Sequence, residues 1–157
     1  MKAPAASSVG ARQRFVLQKR RDTRCEMRVR QFLHRAGLRY RVDCQPEASV
    51  PRKADIVFRT AKVAVFIDGC FWHKCPVHWK APTTHAQWWT NKVEANARRD
   101  EETTRLLERA GWLVIRAWEH EDPRLVADNV LEAVAKRHPR ASELCFTAGL
   151  GPDGRRR

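Results

Sequence analysis

Ile56-Val57-Phe58 and Val63-Ala64-Val65-Phe66-Ile67 are two apolar runs, separated only by Arg59 to Lys62 and closed by Asp68-Gly69. So short a spacer permits little but a tight turn between antiparallel strands. The second run lacks polar alternation, the pattern of a strand buried on both faces. Such a strand needs helices to cover it, and helical patterns stand on either side. Thr23 to Ala36 reads as a helix ended by Gly37, with Thr23 and Glu26 at capping-box spacing. Leu38 to Val42 reads as a short strand, and Gln45 to Lys53 as a polar loop with Pro46 and Pro51. Beyond Gly69 an aromatic loop runs to Pro82. A long helix covers 85–110 and stops at Gly111, Trp112 to Trp118 is a strand, and Pro123 to Arg137 is a last helix entered through Glu121-Asp122-Pro123. The order helix, three strands, helix, strand, helix predicts a mixed α/β fold, one sheet flanked by helices.

The 157 residues suit one domain. It is expected over 21–140, between a flexible basic arm at 1–20 and a loose basic tail at 141–157. No apolar run approaches the roughly 18–20 residues of a membrane span. Met1 to Val9 lacks the apolar stretch of a secretory signal. A soluble, cytoplasmic protein without a membrane partner is therefore expected. Lys and Arg number 31 against 18 Asp and Glu, a net charge of +13. A small domain this basic points to a polyanion, above all nucleic acid. The excess is not confined to the Arg155-Arg156-Arg157 terminus, because Arg12, Arg14, Lys19, Arg20, Arg21 and Arg24 load the other end. Five cysteines, an odd number without a secretion signal, argue against a disulfide framework.

Asp55 begins one strand and Asp68 ends the next, so an antiparallel turn brings both carboxylates to one sheet end. Two carboxylates that meet there repel unless a cation lies between them, and Mg²⁺ suits oxygen ligands with room for phosphate and water. The plainer alternative is that Asp68-Gly69 only makes a turn. Cys70, His73, Cys75 and His78 crowd within one loop, a density that suggests tetrahedral zinc. Cys75-x-x-His78 is a natural clip. If Cys70 and His73 do other work, His120 after the last strand and Asp100 on the long helix can complete the set. Trp89, Val93, Asn96 and Asp100 share one helical face. Asn96 and Asp100 on a buried face need partners, and a metal would supply one for Asp100. A free His73 could exchange a proton with a phosphodiester at neutral pH. Phe71, Trp72, Trp79, Trp88 and Trp89 form an aromatic group close to these ligands, suited either to core packing or to wedging between bases.

In this order and spacing the chain resembles the Vsr, or very short patch repair, endonuclease family over roughly 12–120. Arg21-Asp22-Thr23-x-x-Glu26 is similar to the family's first-helix motif, and Asp55-Ile56-Val57 to its metal-binding strand. Gly69-Cys70-Phe71-Trp72-His73 matches its most distinctive stretch. Trp89, Lys92, Asn96, Arg99 and Asp100 fall on its long helix, and Gly111-Trp112-x-Val114 and Trp118-Glu119 follow in register. The resemblance implies a restriction-endonuclease-like αβββαβ core with a structural zinc site. It implies a Mg²⁺-dependent enzyme that nicks one strand of double-stranded DNA 5′ to the T of a T:G mismatch left by deamination of 5-methylcytosine. Asp55 would ligate Mg²⁺, His73 would handle a proton and Glu26 would support the site; Asp68 as a second Mg²⁺ ligand is the reading of the paired carboxylates and not of the resemblance. Cys75, His78, Asp100 and His120 would hold zinc. Phe71, Trp72 and Trp89 would form a wedge beside the mismatch, with Arg20, Arg21, Lys92 and Asn96 as further DNA contacts. Asp68 departs from the family pattern, since the founding member carries a second active-site histidine there. A bacterial enzyme acting at the nucleoid is expected, as a monomer, with mismatch-repair proteins as candidate partners. A nicking or restriction-like nuclease of other specificity, and a non-catalytic zinc DNA-binding module, are the competing readings.

Overall fold

The computed structural model describes residues 22–138. The arm at 1–20 with Arg20, the neighbouring Arg21, and the tail at 141–157 lie outside the described residues. The elements are α1 (Arg24–Arg35), β1 (Arg41–Cys44), β2 (Ala54–Phe58), β3 (Val63–Asp68), α2 (Ala86–Arg109), β4 (Leu113–Trp118) and α3 (Pro123–Arg137). The sheet order is β1-β2-β3-β4. β2 is antiparallel to both β1 and β3, whereas β3 and β4 run parallel. A parallel pair requires a crossover, and α2 supplies it. This is the mixed α/β architecture that the order of elements along the sequence predicts.

Alternate side chains of the strands feed two cores. On one face Ile56, Phe58, Val63 and Val65 pack with Val29 and Leu33 of α1 and Val126, Val130 and Val134 of α3. On the other, Val57, Ala64 and Phe66 pack with Leu107 of α2 and with Trp112. β3 feeds both cores, which explains why its sequence shows no polar alternation.

Two strands start later than their sequence suggests, for one shared reason. After α1, Gly37 takes φ +81°, its N–H donates to the His34 carbonyl, and the Leu38 N–H donates to the Leu33 carbonyl. After α2, Gly111 takes φ +84°, its N–H donates to Glu108 and the Trp112 N–H to Leu107. Both are left-handed helix closures in which the residue after glycine spends its amide on the helix. Leu38 and Trp112 are therefore buried helix stops, and the strands begin at Arg41 and Leu113. At the other helix starts, the Thr23 hydroxyl accepts the Glu26 amide, and the Asp122 carboxylate accepts the Arg124 amide at 2.7 Å.

Leu33 is fully buried, whereas Leu125 is largely exposed. Leu33→Ala should cost about 2–5 kcal/mol in denaturant unfolding, and Leu125→Ala within about 0.5 kcal/mol.

Candidate active site and metal centre

The antiparallel register sets Ile56 opposite Val65 and so brings the start of β2 to the end of β3. There the Asp55 carboxylate accepts the Ile67 backbone amide at 2.7 Å. A cleft of about 660 Å³ opens at this sheet end, lined by Glu26, Asp55, Asp68, His73, Lys92, Asn96 and Arg99, among others. Burial pushes the Asp55 carboxyl up to about 6, and the charges of Glu26 and Asp68 add to the rise. The Ile67 amide and the Arg30 charge offset only part of it. A half-buried acid in a field of other acids has the electrostatic character of a cation ligand.

Glu26 is buried on α1 and fully engaged. It accepts the Thr23 hydroxyl at 3.0 Å, the Asp22 amide at 2.9 Å and the Arg30 guanidinium at 3.0 Å. Buried Arg30 also pairs with Asp22 at 2.5 Å. The helix cap and the position on the cleft wall are thus two uses of one side chain.

His73 stands across the cleft. Its Nδ1 lies 2.5 Å from an Asp100 oxygen and 3.5 Å from one of Asp68. Burial works to lower the His73 pKa, but the Asp100 hydrogen bond and the Asp68 and Asp100 charges outweigh it and raise it above the ordinary imidazole value. Asp68 is clasped by Arg116, with Nε and Nη2 each 2.7 Å from a carboxylate oxygen. Arg116 Nη2 also reaches Asp100 at 3.1 Å. The expectation for Asp68 was a carboxylate facing Asp55 and open to metal; both of its oxygens are held by the guanidinium instead.

A second cluster joins the loop after β3 to the turn after β4. Cys70, Cys75, His78 and His120 present ligand atoms that all lie within 4.8 Å of one another. Cys70 Sγ is 3.1 Å from His120 Nδ1 and 3.8 Å from His78 Nδ1, and Cys75 Sγ is 3.8 Å from each of those nitrogens. A tetrahedral zinc bound by two thiolates and two imidazoles has sulfur–nitrogen edges of roughly 3.6 Å, so the four side chains fit that ion. Burial, with the Cys75 thiol beside it, pushes the Cys70 thiol up to about 12. Such a thiol would ionise only around a cation. This cluster holds Cys70 where the sequence expectation has Asp100, which lies instead with Asp68 and His73. Asp100 pairs with His73 and Arg116, while the Cys70 amide donates to Glu119 at 2.7 Å and its thiol lies 3.1 Å from His120 Nδ1.

The aromatics flank the cleft. Phe71, Trp72 and Trp89 meet edge to face with ring centres 5.3–6.0 Å apart, and Trp88 joins at 4.8 Å from Trp89. All four are half-buried rather than core. The Asn96 amide donates to the Trp72 carbonyl at 2.8 Å and fixes this loop to α2, and Arg99 in turn donates to Asn96. Trp79 stands apart, under the Lys74 ammonium. Arg30 and Arg116 were missed by sequence reasoning, and Glu119 was read only as part of the Trp118-Glu119 motif. Arg116 had a signal, a lone charge inside the apolar stretch Val114 to Trp118.

A family model described as DNA mismatch endonuclease Vsr matches residues 10–79, which include Glu26, Asp55, His73 and three residues of the cysteine–histidine cluster. The type II nicking enzyme V.NaeI of Lentzea aerocolonigenes is 43% identical over 76% of this chain and 73% of its own length. The type II nicking enzyme V.XorIIP of Xanthomonas oryzae is 35% identical over 70% of this chain and 81% of its own. The DNA mismatch endonuclease Vsr of Escherichia coli is 35% identical over 63% of this chain and 62% of its own.

Two outcomes follow from the geometry. Asp55 holds its proton more tightly folded, at about 6, than unfolded, at 3.8. The native state therefore loses stability as pH rises from about 4 to about 6, by at most about 3 kcal/mol, and the loss is complete above that window. Asp55→Asn should recover on the order of 1–3 kcal/mol near pH 7.5 without Mg²⁺, and nothing near pH 4, in denaturant titrations. For the second cluster, Cys70→Ser should lose bound zinc and Asp100→Asn should keep it, read by metal analysis of natively purified protein.

Proposed function

The chain belongs to the Vsr family of DNA endonucleases, and from that premise we propose that it nicks one strand of duplex DNA 5′ to the T of a T:G mismatch, in repair of deaminated 5-methylcytosine. The observation that carries this reading is the joining of an acidic, cation-suited cleft to an aromatic edge within one loop, since His73 and the Phe71–Trp72 pair are sequence neighbours. Scission and base recognition would then act on adjacent nucleotides.

Asp55 would hold a catalytic Mg²⁺, with Glu26 adding negative field from behind. When bound, the ion supplies Lewis-acid charge to the phosphate and the leaving oxygen. His73 exchanges the proton. Asp100 takes its Nδ1 and so leaves Nε2 as the nitrogen that works in the cleft. Cys70, Cys75, His78 and His120 would hold zinc, which is structural because protein fills all four positions. Lys92 and Arg99 line the cleft and would take backbone phosphates. Phe71, Trp72 and Trp89 would enter the stack beside the mismatch, where a wobble pair is cheaper to open. Arg20 and Arg21 belong to the same proposed contact set, as does the division into arm, nuclease domain and tail. No helix among the described residues is long and apolar enough to cross a membrane. A monomer working on nucleoid DNA in the bacterial cytoplasm, with mismatch-repair proteins as candidate partners, completes the reading.

The test is Mg²⁺-dependent nicking of a panel of T:G, T:A and C:G duplexes at one fixed salt, with flanking sequence varied. Selective nicking at T:G is expected. Equal nicking of matched DNA would replace this reading by a nicking enzyme of other specificity. His73→Ala should slow the reaction about 10²–10⁴-fold. Trp72→Ala should lower T:G over T:A discrimination roughly 5–150-fold, the range that stacking of about 1–3 kcal/mol allows, with little change in non-specific binding.

A further inference from the structure

Asp68, His73 and Asp100 offer one ligand atom each within 4.8 Å of one another, the layout of a small metal site. Arg116 already stands among them. Its side chain rises from β4, where it pairs with Phe66 across the parallel ladder, and its guanidinium stacks 4.8 Å over the Phe66 ring. Nε and Nη2 clasp Asp68 at 2.7 Å each, and Nη2 bridges to Asp100 at 3.1 Å. Its remaining nitrogen, Nη1, is buried without a hydrogen-bond partner. A guanidinium that leaves one donor unsatisfied, in order to keep the other two on carboxylates, is held there by charge.

We propose that the Arg116 guanidinium is the resident cation of the Asp68–His73–Asp100 cluster, a positioning residue that excludes divalent metal from it. The inference rests on the reading of Asp55 as the catalytic metal site. Two carboxylates and an imidazole nitrogen at this spacing would attract a divalent ion, which would take His73 Nδ1 as a ligand and pull the ring from Asp100. A planar, permanently charged group neutralises the same carboxylates without binding the imidazole. The ring stays oriented by Asp100 and its far nitrogen stays available in the cleft. Divalent metal is then left to bind at Asp55. The apposed carboxylates at Asp68 and Asp100 shape the histidine.

The experiment counts Mn²⁺ bound to the zinc-loaded protein, from the loss of the free-ion EPR signal in a titration. Arg116→Met is expected to bind about one more Mn²⁺ per chain than wild type, the carboxylates having lost their cation. Asp68→Asn added to Arg116→Met should remove the extra ion. Arg116→Lys, which keeps the charge but not the fork, should stay at the wild-type count. Arg116→Met binding no more Mn²⁺ than wild type would overturn the inference, as would an extra ion that survives Asp68→Asn or appears in Arg116→Lys. If Arg116→Met does not fold, judged by near-ultraviolet circular dichroism and zinc content, Arg116→Gln is read with the same outcomes. Wild type that binds no Mn²⁺ would sink the Asp55 reading, while the difference between wild type and variant still decides the role of Arg116.

Discussion

The hydrogen bond from the Ile67 amide to the Asp55 carboxylate ties the chemistry of this protein to the register of its sheet. The bond exists because Ile56 lies opposite Val65, and that pairing is enforced by burial on both faces of β3. A slip of one residue would turn every side chain of β2 to the opposite face, exposing Ile56 and Phe58 and removing Asp55 from the sheet end. Hydrophobic patterning, which has no direct part in cutting DNA, thus fixes where the metal-suited acid stands.

Around that acid the protein accumulates charge that its stability does not favour. The chain carries +13 overall, yet Glu26, Asp55, Asp68 and Asp100 converge at one end of the sheet. Two buried or half-buried arginines limit the cost. Arg30 neutralises Glu26, and Arg116 neutralises Asp68 and Asp100. Asp55 alone has no side-chain cation in contact among the described residues, and burial, with the charges of Glu26 and Asp68, raises its pKa. Stability is conceded at Asp55, the carboxylate proposed to take a cation from solution, and protected at the others.

The loop after β3 needs a different support. From Gly69 to His85 only Cys75 is buried, so the segment contributes little to either apolar core. Cys70, Cys75 and His78 instead gather on His120, fifty residues beyond Cys70, at the end of β4. A metal there would cross-link loop to sheet and hold His73 and the aromatic edge in place without a hydrophobic core beneath them. Asn96 and Glu119, each bonded to a loop backbone group, serve the same end from α2 and β4.

Residues 56–67 alone were enough to determine the antiparallel pair and its burial, because apolar periodicity and a short spacer leave few alternatives. Helix boundaries were legible from Thr23, Gly37, Gly111 and Pro123, whose backbone chemistry is local. The motif order from Asp55 to Trp118 was enough to point to the family. The sequence could not assign ligands, because it shows which residues can bind a metal and not which already have partners. Cys70 and Asp100 are both competent ligands in the chain; only the fold gives Asp100 to His73 and Arg116 and turns Cys70 to His120. For the same reason Asp68 read as open to metal until β4 brought Arg116 beside it, a residue 48 positions away that no local spacing connects to it. Patterning along the chain determined where the backbone goes, and competition between side chains distant in sequence decided what each charge is for.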